Sequence, residues 1–171
     1  MDLSQYIRNI PDFPIKGILF RDITTLLKHK DAFKEAIDQL FLIASRYTVD
    51  KVAAIESRGY IFASIIAYKL NVGFIPIRKP GKLPADTIKK SYSLEYGVNE
   101  LEIHKDAIAR GEKVLLIDDL LATGGTAAAS AELIETLGGT VEAILFMIEL
   151  EGLEGKKLLG KYNVHSLITY R

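Results

Sequence analysis

The stretch VLLIDDLLATGGT, residues 114–126, runs from an apolar strand into two adjacent carboxylates and then into a Thr-Gly-Gly-Thr turn. Val114, Leu115, Leu116 and Ile117 read as a buried strand, and TAAASAELIETL at 126–137 has apolar residues at helical spacing. A strand that hands over to a helix through a glycine-rich turn is the repeating unit of a parallel α/β sheet. The rest of the chain repeats that grammar. KVAAIES at 51–57, VGFIPIR at 72–78, KVLLIDD at 113–119, TVEAILFMIEL at 140–150 and NVHSLITY at 163–170 are rich in β-branched residues and read as five strands. AFKEAIDQLFLIASRY at 32–47 and YIFASIIAYKL at 60–70 read as further helices. The expectation is a doubly wound, mainly parallel five-stranded sheet with flanking helices, whose ligands bind at the C-terminal ends of its strands.

Length and composition fit that fold. The chain of 171 residues with 49% hydrophobic content suits one globular domain. Twenty-two basic and twenty-two acidic side chains cancel, so no general attraction to nucleic acid or anionic membrane is expected, and any basic site must be local. There is no cysteine, hence no disulfide or thiolate metal site. His29, His104 and His165 are too scattered to suggest a metal cluster. The N-terminus MDLSQYIRNI lacks the apolar core of a signal peptide, and no apolar run approaches the roughly 20 residues of a membrane span, so cytoplasmic residence is expected. Residues 79–113 hold two alternating stretches, TIKKSYSL and VNELEIHK, around Glu95, Tyr96 and Gly97. They read as a projecting hairpin, and so long an excursion is more often functional than connective.

The opening stretch also states a chemistry. After the strand, the backbone amides of Ala122, Thr123, Gly124, Gly125 and Thr126 face outward at the start of a helix, with two glycines allowing close approach of an anion. The turn suits a phosphate, with the hydroxyls of Thr123 and Thr126 as added donors. Asp118 and Asp119 would repel that phosphate and must serve another part of the ligand, for which a sugar diol fits. Negative charge beneath a ribose also stabilises positive charge growing at its anomeric carbon. The motif is neither a Walker loop, since no Lys-Ser or Lys-Thr follows the glycines, nor the dinucleotide fingerprint. It reads as a ribose 5-phosphate site, diol to phosphate.

VLLIDDLLATGGT resembles the phosphoribosyl pyrophosphate signature of the type I phosphoribosyltransferases. FPIKGILFRDIT, ESRGYIF, IRKPGKLP and SYSLEYGVNELEIHKDAI are similar, in order, to blocks of the adenine phosphoribosyltransferase branch of that family. The departures are mild: Glu56 stands where some members have Asp, and Lys16 where many have Pro. The resemblance implies a cytoplasmic homodimer that takes adenine and 5-phosphoribosyl 1-pyrophosphate to AMP and pyrophosphate in purine salvage, with Mg2+ held mainly by substrate and water. It implies one phosphoribosyltransferase domain over residues 1–171, with residues 1–30 as a hood over the base and 79–112 as a flexible catalytic hairpin. Weighed against it are a binding module that keeps the pocket without turnover and an enzyme for a different purine. The intact SLEYG, SRG and FRDI blocks favour the enzyme.

Within that resemblance each block takes a task. Pyrophosphate falls to Arg58 with the amides of Ser57 and Gly59, to a second basic cluster of Arg78, Lys79 and Lys82, and to Tyr96. Arg78 serves its own site or a neighbouring subunit's, since the face near Arg78 and Lys82 is expected at the dimer interface. The peptide between Glu56 and Ser57 is expected to be cis. Glu95 manages the proton at the purine N7 edge as N9 bonds to the ribose, with Asp118 and Asp119 completing the catalytic set. His104 and Lys105 stay outside it. Adenine is expected to pack against Phe20 and Leu153, with its edge read by the carbonyl of Leu19 and the amide of Arg21.

Overall fold

The computed structural model describes residues 1–93 and 97–171. The chain forms two compact units, Met1–Gln39 and Leu40–Arg171.

The first unit opens with a 3-10 turn, Leu3–Tyr6, capped by Asp2, whose Oδ1 accepts from the Ser4 amide at 3.0 Å. Strands β1 (Arg8–Pro11) and β2 (Leu19–Asp22) then pair antiparallel, with Arg8 opposite Asp22 and Ile10 opposite Phe20. The connecting loop is tied by the Gly17 amide donating to Asp12 Oδ1 at 2.7 Å, and Phe13 meets Phe20 edge-on at 5.1 Å. Asp22 closes the hairpin. It is buried, accepts from Arg8 Nε at 2.9 Å, and takes the Thr24 amide at 2.9 Å and hydroxyl at 2.8 Å at the start of helix α1 (Thr24–Leu27). Helix α2 (Lys30–Ala44) follows and carries the chain into the second unit. It begins two residues before the expected 32–47 and stops three short, because the amides of Arg46 and Tyr47 bond back to Ile43 and Ala44 and tighten the last turn.

In the second unit, β3 (Lys51–Ile55), β4 (Gly73–Ile77), β7 (Lys113–Leu121), β8 (Thr140–Leu150) and β9 (Val164–Tyr170) form one parallel sheet in the order β4-β3-β7-β8-β9. These are the five strands of the sequence reading. Between β4 and β7, strands β5 (Thr87–Ser93) and β6 (Val98–His104) pair antiparallel, with Thr87 opposite His104 and Ser93 opposite Val98. Helix α3 (Arg58–Leu70) joins β3 to β4, α4 (Gly125–Thr136) joins β7 to β8, and a short α5 (Gly155–Leu158) precedes β9. α3 ends where Asn71 turns left-handed at φ 57°, a conformation asparagine tolerates better than most residues. Pro76 sits on β4, an edge strand, where a missing amide costs the ladder least.

The central strand β7 shows why the order matters. Val114, Leu115, Leu116 and Ile117 are all fully buried, as expected for a parallel strand covered on both faces. Val114 and Leu116 belong to a cluster with Ala127, Ala131 and Ile134 of α4 and Leu101 and Ile103 of β6. α3, with Phe62 and Ile66 buried, packs on β3 and β7. Both helices that follow β3 and β7 therefore begin at the same end of the sheet, next to the carboxylates. Leu116→Ala should lower the unfolding free energy by about 2–5 kcal/mol in urea titrations, through lost burial and the cavity left behind. Leu42→Ala, at a position 62% exposed, should stay within about 0.5 kcal/mol of the parent.

Candidate active site

The strand β7 does not stop at the acid pair. It continues through Asp118 and Asp119 to Leu121, with Asp118 opposite Phe146 and Leu121 opposite Glu149 on β8. The carboxylates are thus fixed on a rigid, two-sided strand rather than on a loop. Asp119 is only 5% exposed, and its Oδ2 is 2.6 Å from Nε of Arg58, the first residue of α3. Asp118 folds back so that its Oδ1 accepts the Asp119 amide at 2.9 Å. Gly59 makes room for this, since a Cβ there would stand 2.9 Å from Asp118 Oδ1. Burial pushes the Asp118 carboxyl well above the ordinary carboxylate range, and the charge of Asp119 beside it pushes the same way. Asp119 is also raised by burial, with Arg58 opposing. Each carboxyl thus lies above the ordinary range, and the two titrate together rather than independently.

Beyond Leu121 the chain turns through residues 122–125 into α4. Gly124 caps that helix with φ 86°, a left-handed geometry open to glycine. The turn is held from behind by α5. A Cβ on Gly124 would lie 2.8 Å from the Gly155 carbonyl oxygen, and one on Gly155 would lie 2.3 Å from that of Ala122. Backbone meets backbone there, so the outline of the turn is set by two glycines thirty-one positions apart. A cavity of about 240 Å3 opens over it, lined by Arg58, Asp118, Asp119, the whole turn from Ala122 to Thr126, and Phe146 at its floor.

Ser57 is the residue before α3, Arg58 lines the cavity and Gly59 lies against Asp118, while Ser57 and Gly59 are not among the lining residues; the Glu56–Ser57 peptide is cis. Arg78, Lys79 and Lys82 do not line the cavity. They converge on Glu56, which accepts the Lys79 amide at 2.8 Å, Arg78 Nη2 at 3.1 Å and Lys82 Nζ at 3.3 Å. Burial works to raise the Glu56 carboxyl, but the Lys79 amide, Arg78 and Lys82 outweigh it and hold it below its usual range. A buried Glu102 anchors the same loop from β6, accepting the amides of Lys82 at 3.3 Å and Leu83 at 3.2 Å.

Leu19, Phe20 and Arg21 lie on β2 of the first unit, where the Arg21 guanidinium donates to Asn9 Oδ1. Leu153 closes the 3-10 turn Glu151–Leu153 of the second unit and is half-exposed. Glu95 and Tyr96 lie outside the described residues. The three histidines serve separate structural contacts: His29 stacks at 4.7 Å on Tyr6, His104 accepts the Ala85 amide at 3.3 Å, and His165 shares a 2.6 Å hydrogen bond with the Tyr47 hydroxyl. Among the described residues no group of three or more potential metal ligands gathers, and no helix is long and apolar enough to cross a membrane.

A parallel sheet with a carboxylate pair and a glycine turn at one strand end is the frame of a phosphoribosyltransferase, as comparison with known proteins shows. Residues 22–167 match the phosphoribosyl transferase domain, and the chain belongs to that family, in its adenine phosphoribosyltransferase branch. It is 55% identical over 170 residues to the adenine phosphoribosyltransferase of Thermotoga neapolitana, covering 99% of this chain and 100% of that one. The crystal structure of adenine phosphoribosyltransferase from Thermoanaerobacter pseudethanolicus superposes with a TM-score of 0.96 at 51% identity, covering 99% and 98% of the two chains. The APRTase of Giardia lamblia, solved in complex with 9-deazaadenine, gives 0.92 at 37% identity over 99% and 97%.

Glu56 and Asp118, both partly buried, have opposite linkage. Glu56, depressed below its ordinary 4.5, adds stability that is present above that pH and is lost as pH falls through its folded value. Asp118, raised above its ordinary 3.8, subtracts stability increasingly as pH rises from there. In thermal melts from pH 3 to 8, Glu56→Gln should therefore melt below the parent at neutral pH and converge with it in acid. Asp118→Asn should melt at or above the parent at neutral pH, with the gain vanishing in acid.

Proposed function

We propose that the cavity at the end of β7 binds 5-phosphoribosyl 1-pyrophosphate and transfers its ribosyl group to adenine, giving AMP and pyrophosphate. The observation that carries this is the cavity itself, in which one strand end brings Asp118, Asp119, Arg58 and the amide-lined turn of Ala122, Thr123, Gly124, Gly125 and Thr126 to a single volume. The 5-phosphate is assigned to that turn and the ribose diol to the two aspartates. Arg58 has a double task. It pairs with Asp119 through the 2.6 Å contact, opposing the effect of burial, and is assigned, with the amides of Ser57 and Gly59, to the leaving pyrophosphate.

In the reaction the bond from C1′ to the pyrophosphate oxygen breaks, pyrophosphate leaves with the electron pair, and N9 of adenine bonds to C1′. The transition state carries positive charge on the ribose, as in glycoside cleavage. Asp119, dry and fixed, lies where negative charge stabilises it without reorganisation. Asp118, beside it on the same strand, is assigned to accept from the diol hydroxyls. The proton released by adenine is assigned to Glu95, with Tyr96 beside the leaving group, on the resemblance alone, and residues 79–112 are the catalytic hairpin that carries them. Arg78, Lys79 and Lys82 are assigned as cations for the departing pyrophosphate, which would compete with Glu56 for Arg78 and Lys82. Mg2+, when bound with the substrate, would offset the charge of the phosphates and would be held mainly by substrate and water, since Asp119 already pairs with Arg58 and Asp118 accepts its neighbour's amide. A homodimer and a cytoplasmic setting complete the reading, both on the resemblance.

Adenine is assigned to Leu19, Phe20, Arg21 and Leu153. Along a strand the C=O of one residue and the N–H two residues later point to the same edge, so β2 offers the Leu19 carbonyl and the Arg21 amide side by side. Adenine matches that pair with an N6 donor and an N1 acceptor. Hypoxanthine reverses both, leaving two unmet groups at about 1–3 kcal/mol each. In a pyrophosphate-release assay with Mg2+ and 5-phosphoribosyl 1-pyrophosphate, kcat/KM should favour adenine over hypoxanthine by about 30-fold to 10⁴-fold. Asp119→Asn should cut kcat on the order of 10²-fold while leaving the fold intact. Comparable use of both purines, or full activity without Asp119, would contradict the assignment.

A further inference from the structure

The hairpin strand β5 lies along α4 with one face turned toward it. Ile88 packs on the core cluster, Lys90 pairs with Glu132 at 2.5 Å, and Tyr92 reaches the first turn of the helix. These positions are two apart, as one face of a strand requires. Tyr92 ends on the proposed phosphate turn. A Cβ on Gly125 would stand 3.3 Å from Tyr92 Cδ2, so the ring lies directly on the glycine backbone. Its hydroxyl is 3.1 Å from Thr126 Oγ1, with Thr126 donating.

We infer that Tyr92 is a positioning residue that couples occupancy of the phosphate turn to the docking of the β5–β6 hairpin, through the hydroxyl of Thr126. The inference rests on the proposed reading of that turn. A threonine hydroxyl has one proton and two lone pairs. Without ligand its proton goes to Tyr92. When a phosphate draws that proton, a lone pair of Thr126 is left facing Tyr92, whose own O–H turns to donate into it. The chain Tyr92 O–H to Thr126 O–H to phosphate oxygen then runs in one direction, and each bond polarises the next. Tyr92 is held more firmly by a Thr126 that is bound to phosphate, and the hairpin is held with it. Only the 5-phosphate end of the substrate is needed for this. Pyrophosphate, which lacks the ribosyl phosphate, does not produce it when it binds beside Arg58.

The test is amide hydrogen exchange of residues 87–93 in the full-length protein, with and without saturating ribose 5-phosphate, for the parent, Tyr92→Phe, Thr126→Val and the double variant. Tyr92→Phe keeps the ring on Gly125 and should melt close to the parent, so a folding defect does not enter. In the parent, ribose 5-phosphate should slow exchange on the order of threefold or more, the size of one net hydrogen bond. Pyrophosphate should not. In both single variants that ligand-dependent slowing should vanish, and the double variant should be no different from either single one. In calorimetry, the effects of the two substitutions on ribose 5-phosphate affinity should be non-additive in the same way. Full ligand-dependent protection in Tyr92→Phe, or additive effects in the cycle, would overturn the coupling while leaving the phosphate site intact. A parent that does not bind ribose 5-phosphate at all would overturn both.

Discussion

The ion pair between Asp119 and Arg58 is the contact on which the rest of the site depends. Two carboxylates side by side at the end of a buried strand repel each other and lose hydration, and such a pair is a liability for folding. Arg58 offsets this at 2.6 Å and joins the end of β7 to the start of α3. The sheet order makes that possible, because β3, which leads into α3, is the neighbour of β7. What the arrangement yields is a carboxylate held in a fixed place against Arg58 at the edge of the cavity, with a second carboxyl next to it. On the proposed reading, the protein carries an unfavourable group where a reaction with a cationic transition state needs one.

Around this pair the chain is braced by backbone contacts rather than by side-chain packing. Gly124 and Gly155 meet at distances that any side chain would break, and they fix the turn that follows Leu121. On the other flank Glu56 and Glu102 gather the loop after β4, using its amides as much as its cations. The turn at the cavity and the loop after β4 outside it are therefore both shaped by hydrogen bonds and close backbone approach. Anionic ligands suit such segments, since amides present fixed partial charges that need no rearrangement on binding.

Much of this was legible in the sequence, and the part that was not has a physical reason. The five strands carry their own signal, because a parallel strand covered on both faces must be a nearly unbroken apolar run, as residues 114–117 and 143–148 are. The glycine turn and the acid pair are contiguous and can be read as one motif. α5 is four residues long and offers no periodicity, so Gly155 passes for an ordinary loop glycine until Ala122 is found against it. Glu56 was visible only as a departure from the family pattern, since its partners lie 22 to 26 positions away. Arg78 and Lys82 were read as cations for pyrophosphate, and the sequence gives no hint that a carboxylate already holds them. Tyr92 fell inside the hairpin, but the side it shows to Thr126 follows from the path of β5 along α4.

The account centres on one claim, that the turn after β7 holds the 5-phosphate and the adjoining aspartates hold the ribose diol. The measurement closest to it is a crystal structure of the protein with ribose 5-phosphate. The phosphate should sit within hydrogen-bond distance of the amides of residues 123–126, with the ribose hydroxyls on Asp118 and Asp119. A phosphate bound instead among Arg78, Lys79 and Lys82, or a ribose turned away from the two carboxylates, would contradict it.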